Sequence, residues 1–260
     1  MGTVPGTSNR ISPWFLLLVL VTVAGGTLTV LGTPAAARDE SSMLLTAGVV
    51  LLVAGGWAVS LCLHEFGHAF VAYRSGDWTV RAKGYLTLDI RRYTDLWLSL
   101  VLPVAFLLLG GIPLPGGAVW INHGAIRSRA RRSLVSLAGP LTNLVFATAL
   151  TLAVTLPAMP IGLAVGLSCL ALIQVIAFVL NILPVPGLDG FGVLEPFLPA
   201  GAVRLAAQVR PWAPIALFVL IIGVPGAANA LFSAGLAVFG AVGGVPSLAA
   251  AGYRELLFWR

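Results

Sequence analysis

Two histidines and a glutamate lie close together in an apolar stretch of the chain, in the order His64-Glu65-Phe66-Gly67-His68. On a helix, residues i and i+4 lie on one face, so both imidazoles can reach a single metal ion. The carboxylate beside the first histidine can hold a water molecule at that ion and take its proton. This spacing is the HExxH pattern, and it predicts a metal-assisted hydrolytic site.

The apolar surroundings of the motif strengthen this interpretation. Ionisable groups inside an apolar helix are costly unless they are paired or functional, and two of the chain's three histidines lie within these five residues. The alternative is that the polar cluster only joins neighbouring helices by hydrogen bonds. The HExxH spacing favours the catalytic interpretation.

A catalytic zinc ion usually has three protein ligands and one open position, so the third ligand must come from elsewhere in the chain. Asp189 is the best candidate, because it follows an apolar span and a segment in which two prolines and Gly187 break the helix. The alternative for Asp189 is a helix-capping role. With both histidines neutral, Zn²⁺, Glu65 and Asp189 sum to zero charge, which limits the cost of burial.

Two further residues with ligand chemistry are weaker candidates. Cys62 lies roughly 200° around the helix from His64 and faces away from it. His123 lies in a basic loop, where a surface or interfacial position is expected.

The elements that must carry these residues are membrane helices. Of the 260 residues, 58% are hydrophobic and 9% are charged, whereas soluble domains have about 25% charged residues. Several apolar runs have the roughly 20 residues that a helix needs to cross a bilayer, and they lack the alternation of barrel strands. The sequence predicts an all-α multi-spanning membrane protein, one domain over residues 1–260, with about six transmembrane helices. The predicted spans are 13–31, 43–73, 96–111, 134–156, 161–183 and 212–242, and the C-terminal helices occupy about 211–245.

The net charge of +6 resides in short connections between apolar runs, which favours contact with lipid and gives little support to nucleic-acid binding. The basic loop at 74–92 is expected in the cytosol. A second basic loop at 127–132 follows only one further apolar run, so a full span there would place it outside. A re-entrant segment over 96–117 resolves this conflict, and the alternative is an ordinary span with an exceptional loop.

Residues 85–90 alternate between apolar and polar side chains at Leu86, Leu88 and Ile90. This pattern predicts a short β-strand or hairpin near the active site, whose edge could pair with an extended substrate. The alternative is a loop on the membrane surface.

Three motifs together resemble the site-2 protease family of intramembrane zinc metalloproteases. They are His64–His68, the sequence Ala-Gly-Pro-Leu-Thr-Asn at 138–143 and the stretch 181–190 that ends in Leu-Asp-Gly. The resemblance covers a catalytic core of about 44–195. It implies that His64, His68 and Asp189 bind one Zn²⁺, that Glu65 is the general base, and that Asn143 positions the substrate or stabilises the oxyanion.

The resemblance also implies a membrane-anchored protein as substrate, cleaved in or near its transmembrane segment, and an active site nearer the cytosolic face of a cell membrane. The arginine bias is compatible with a bacterial source. The chain has no room for the PDZ or CBS domains of larger relatives, so a membrane partner could supply regulation.

Two other functions remain open from the residues alone. Intramembrane histidines and aspartates also mark the paths of metal-ion transporters, although here they converge on one HExxH turn. An inactive relative that only binds membrane helices is the other alternative, and the intact Glu65 argues against it.

Overall fold

The computed structural model describes residues 11–38, 42–93 and 119–259, which are helical and contain no β-strand. Short 3-10 turns occur at Tyr85–Thr87, Ile90–Arg92, His123–Ala125 and Glu195–Phe197. The α-helices in chain order are α1 (Pro13–Leu31), α2 (Thr33–Ala36), α3 (Met43–Arg74), α4 (Thr79–Ala82), α5 (Arg129–Val154), α6 (Ile161–Asn181), α7 (Asp189–Leu194), α8 (Ala200–Val209), α9 (Ala213–Gly223), α10 (Ala227–Ala241) and α11 (Pro246–Leu256).

Four helices in this part of the chain, α1, α3, α5 and α6, are long and apolar enough to cross a membrane. The prediction of an all-α chain is therefore confirmed for the described residues, with four helices able to span a membrane, whereas the count of about six transmembrane helices is not confirmed. The predicted span at 96–111 lies outside the described residues. Residues 212–242 divide into α9 and α10, of 11 and 15 residues, both shorter than the roughly 20 residues of a typical span. Between them Gly226 adopts a φ of 87°, which favours glycine.

Helix α3 is the central element of the bundle. It begins at a cap in which the Ser42 hydroxyl accepts a hydrogen bond from the Leu45 N–H, 3.2 Å away, and it continues for 32 residues. Its length is about 48 Å, so it extends beyond the roughly 30 Å hydrocarbon core. Helices α1, α5 and α6 all pack against it, which is why most of its residues are buried.

Small residues allow α1 and α3 to approach closely. A Cβ atom on Gly25 would lie 2.3 Å from the backbone nitrogen of Leu52, and one on Gly48 would lie 2.6 Å from that of Thr29. Without a hydrophobic driving force between helices in lipid, such backbone proximity provides the packing contacts that associate them.

Two apolar clusters each include residues of α6. One joins it to α3 and α11 through residues such as Trp57, Ile173 and Leu256, and the other joins it to α5 and α10 through Ala147, Ile176 and Phe239. Helix α6 is therefore held by packing in both clusters, and its C-terminal end at Asn181 is a fixed point from which the chain turns towards α7.

The predicted strand at 85–90 is not present. Residues 85–87 form a 3-10 turn, Leu88 has a φ of 57°, and a second 3-10 turn begins at Ile90. A positive φ at Leu88 interrupts the extended backbone that a strand requires. Leu86, Leu88 and Ile90 all pack in one apolar cluster with Val80 and Tyr93, so the alternating pattern reflects burial of a compact loop.

The two basic loops lie at the same end of the bundle. The Asn122 N–H donates to the Asp77 carboxylate over 2.7 Å, and the first turn of α1 lies nearby, because the Ser12 N–H donates to the Thr87 carbonyl over 2.9 Å. The first residues described after position 118 thus lie beside the segment that ends at residue 93. The predicted re-entrant segment at 96–117 itself lies outside the described residues.

Candidate metal centre

The three predicted ligands come together from two distant parts of the chain. His64 and His68 lie one turn apart near the end of α3, with their Nε2 atoms 3.1 Å apart. Asp189, the first residue of α7, places one carboxylate oxygen 3.2 Å from the His64 Nε2 and the other 3.3 Å from the His68 Nε2. Both histidines are buried and Asp189 is partly buried.

The backbone after α6 explains how Asp189 reaches this position. The helix ends at Asn181, Gly187 takes a φ of 101°, and α7 starts at Asp189. A hydrogen bond of 2.8 Å from the Ser133 hydroxyl to the Val193 carbonyl ties α7 to α5. The carboxylate of Asp189 therefore faces the imidazoles, as a ligand would.

The spacing of these atoms suits a tetrahedral zinc ion. With zinc bonds of about 2.0–2.1 Å, neighbouring ligand atoms in a tetrahedron are about 3.3–3.4 Å apart. The two Nε2 atoms are 3.1 Å apart, and each lies 3.2 or 3.3 Å from a different oxygen of the Asp189 carboxylate. With one ligand atom taken from each residue, the three atoms lie within 4.8 Å of one another. Two imidazole nitrogens and one carboxylate also form a donor set that catalytic zinc sites use, so these residues fit the ion.

A second contact fixes the tautomer of His68. Its Nδ1 lies 2.7 Å from the carbonyl oxygen of Val135 in α5. A carbonyl oxygen only accepts, so Nδ1 must carry the proton and donate it, which leaves the lone pair of Nε2 directed at the cluster. Helix α5 thus orients one predicted ligand, His68, without providing one itself.

Helix α5 also leaves room for an ion in front of the imidazoles. Gly139 faces the Nε2 atoms of both His64 and His68, and any side chain at this position would collide with them. Only glycine leaves this space free. Gly139 belongs to the motif at 138–143, but the sequence alone does not indicate this role.

The Glu65 carboxylate is buried and held by the backbone. Its Oε2 accepts a hydrogen bond of 2.9 Å from the Val119 N–H, and the side chain is next to the two imidazoles in one cavity. One carboxylate oxygen is thereby fixed while the group stays beside the ligands, as a general base must be. The sequence contained no sign of this contact, because it is made by a backbone N–H.

The ligands line a cavity of about 210 Å³. Asn143 also lines it and is 4% exposed, and its Oδ1 has no hydrogen-bond partner among the described residues. An unpaired amide oxygen at this place can accept a hydrogen bond from a substrate group, since buried polar atoms are normally paired.

His123 also lines the cavity, so all three histidines of the chain meet there, although His123 is exposed as predicted. Partial desolvation lowers its pKa, which keeps the imidazole neutral at neutral pH. Cys62 is fully buried in an apolar cluster and does not line the cavity.

Comparisons with known proteins agree with the motifs. Residues 52–162 match the profile "Peptidase family M50". The chain is 46% identical over 254 residues to "Putative zinc metalloprotease Rip2" of Mycobacterium tuberculosis, covering 97% of this chain and 95% of the relative. The protein of that name from Mycolicibacterium smegmatis is 47% identical over 218 residues, 83% of this chain and 82% of its own.

A more distant relative, YwhC of Bacillus subtilis, carries the same description and is 31% identical over 174 residues, 63% of this chain and 77% of its own. No solved structure matches the chain significantly. With the HExxH cluster, the near full-length similarity to these relatives shows that the chain belongs to peptidase family M50, the site-2 protease family of zinc metalloproteases.

Proposed function

We propose that this protein hydrolyses peptide bonds in or next to the transmembrane segments of membrane-anchored proteins, using one Zn²⁺ held by His64, His68 and Asp189. The observation that carries the proposal is the position of the three ligands. Two of them lie within α3, a helix long and apolar enough to span a membrane. A site built into such a helix favours substrates that are themselves in the bilayer.

When bound, the zinc ion supplies Lewis-acid activation of a water molecule and of the substrate carbonyl. Glu65 takes the proton of the attacking water as the new carbon–oxygen bond forms, and then delivers that proton to the nitrogen of the breaking peptide bond. The Asn143 amide is in the same cavity and donates to the oxyanion or holds the substrate backbone. The Val135 carbonyl orients His68, and Gly139 leaves the space in front of both imidazoles free.

The charge distribution favours a site nearer the cytosolic face. The basic residues that follow α3 and precede α5 flank the end of the bundle closest to the site, and positively charged loops remain in the cytosol. His64 is ten residues before Arg74, the last residue of α3, or about 15 Å along the helix. The core of about 44–195 contains all of these residues, and bacterial relatives favour a bacterial cell membrane.

The proposal predicts a separation of metal binding from cleavage. The test uses the full chain in liposomes with single-span reporter peptides that differ in their transmembrane sequences. The wild type is expected to bind one zinc per chain and to cut within or beside the span, as read by mass spectrometry. Glu65→Gln keeps the shape of the side chain but cannot take a proton, so it should bind zinc and release no product.

Chelation should stop cleavage by the wild type, and added Zn²⁺ should restore it. Zinc flux into the same liposomes is measured in parallel, because flux without cleavage would identify a transporter instead. Wild-type turnover by Glu65→Gln, or cleavage restricted to segments far from the bilayer, would refute the proposed function.

A further inference from the structure

Asp77 is a fully buried carboxylate outside the metal centre, three residues after the end of α3. Its Oδ1 accepts hydrogen bonds from the N–H and the hydroxyl of Thr79, at 3.0 and 2.6 Å. Its Oδ2 accepts one of 2.7 Å from the Asn122 N–H. Among the described residues Asp77 makes no salt bridge, so these neutral donors hold the charge.

The second oxygen of Asp77 does more than the local turn requires. A single acceptor is enough for both donors of Thr79, and Oδ1 alone supplies it. The contact with Asn122 joins two segments that are 45 residues apart. Because Thr79 presents two donors and Asn122 one, an asparagine at position 77 would keep its oxygen at Thr79 and turn its NH₂ group towards Asn122, where the contact would be lost.

Residues 119–122, which we call the strut, are anchored at both ends by carboxylates. At one end the Val119 N–H donates to Glu65 over 2.9 Å, and at the other the Asn122 N–H donates to Asp77 over 2.7 Å. The two side chains belong to α3 and to the turn directly after it. The strut therefore connects Asp77 to Glu65 by a path of four residues.

The side chains of the strut point in alternate directions. Val119, Ile121 and the following His123 line the catalytic cavity, whereas Asn122 is not among its lining residues. Asn122 itself lies at the centre of a tight turn, in which the His123 N–H donates to the Ile121 carbonyl over 3.1 Å. The strut is thus a wall of the cavity, and its N-terminal end holds the Glu65 carboxylate.

We propose that Asp77 is a positioning residue that orients the Glu65 carboxylate through the strut. This inference rests on the proposed role of Glu65 as general base. Because Glu65 has several rotatable bonds, the Val119 N–H must itself be fixed if it is to select one orientation of the carboxylate. The Asp77 contact three residues later supplies that fixed point. A small displacement of a reacting group is enough to slow catalysis strongly.

A pair of substitutions at residue 122 isolates the backbone contact. Asn122→Pro removes the N–H that donates a hydrogen bond to Asp77. The φ of −83° at Asn122 is close to the value that proline requires. Asn122→Ala keeps the N–H and removes only the side chain, so it is the matched control. In the full chain with its zinc, Asn122→Pro should lower kcat about 10- to 100-fold, with KM within twofold and zinc still one per chain. Asn122→Ala should behave as the wild type.

A second pair compares two buried carboxylates. Asp77→Asn should lower kcat in the same way, with zinc retained. Asp89→Asn is the control, because Asp89 is also buried but binds the Arg91 side chain and does not touch the strut. Unchanged kcat in both Asn122→Pro and Asp77→Asn, an equal loss in Asp89→Asn, or loss of zinc in parallel with activity would overturn the proposal.

Amide hydrogen exchange tests the same inference without any need for activity. Both the Val119 and Asn122 amides should be protected in the wild type, and both should exchange faster in Asp77→Asn. If only Asn122 responds, the strut does not transmit the contact and the proposal is wrong. If Glu65→Gln cleaves normally, the proposed function fails while the exchange result still decides whether Asp77 holds Val119.

Discussion

A Cβ atom on Gly139 would lie 2.2 Å from the Nε2 of His68, although the two residues belong to different helices. The same atom would lie 2.6 Å from the Nε2 of His64. These nitrogens are the atoms that would bind a metal ion, so α5 approaches the ligands as closely as a residue without a side chain permits. The lack of a side chain at residue 139 therefore leaves the space that the site needs.

The first prediction concerns this space. Gly139→Ala would place a methyl group within contact of both ligand atoms and force the imidazoles apart, so zinc occupancy should fall below about one-tenth of a site and cleavage should be lost. Metal content of the purified protein, measured by elemental analysis, checks the result. Gly240→Ala is the control, since a Cβ there meets nothing within 4 Å. Stoichiometric zinc in Gly139→Ala would contradict this account of the site.

Much of the metal centre could be predicted because short stretches of sequence indicate its residues. The positions of His64 and His68 follow from the helical period, and Asp189 follows from the proline-rich break after α6. The structure brings these residues together with Glu65 and Asn143 in one cavity. Their roles in catalysis remain predictions that the experiments test.

Other features had no local signal in the sequence. The contact between Val119 and Glu65 uses a backbone N–H, which every residue except proline carries. The alternation at Leu86, Leu88 and Ile90 predicts a strand. The structure has a loop there, because the positive φ of Leu88 and the burial of these side chains depend on tertiary contacts. The long apolar run at 212–242 does not indicate where its helices end relative to a bilayer.

The second prediction concerns Asn143. Asn143→Leu keeps a similar volume and removes the amide that faces the cavity, so kcat should fall about 10²- to 10³-fold, as for the loss of one oxyanion donor. Zinc content should not change, because Asn143 is not a ligand. Steady-state cleavage of a membrane reporter peptide gives kcat and KM separately.

Gln174 provides the matched control for that substitution. It is a second buried amide in the bundle, and neither of its polar side-chain atoms has a partner among the described residues, but it does not line the cavity. Gln174→Leu should leave kcat unchanged and should not lower stability, since it removes unpaired polar atoms from an apolar interior. Equal kcat values for the two variants would remove Asn143 from the mechanism.

The last prediction tests the packing that supports α3, the helix that carries the histidines. Gly25→Ala places a methyl group against the backbone of Leu52, where the nearest atom is 2.3 Å away, and backbone cannot move aside as a flexible side chain can. Separation of α1 from α3 should cost about 1–3 kcal/mol of unfolding free energy. Gly26→Ala is the neighbouring control, because its Cβ would meet the Leu52 side chain at 3.4 Å, an ordinary contact. Unfolding in detergent, followed by circular dichroism, should give an unfolding free energy well below that of the wild type for Gly25→Ala and close to it for Gly26→Ala. Equal stabilities would show that the two helices do not pack at Gly25.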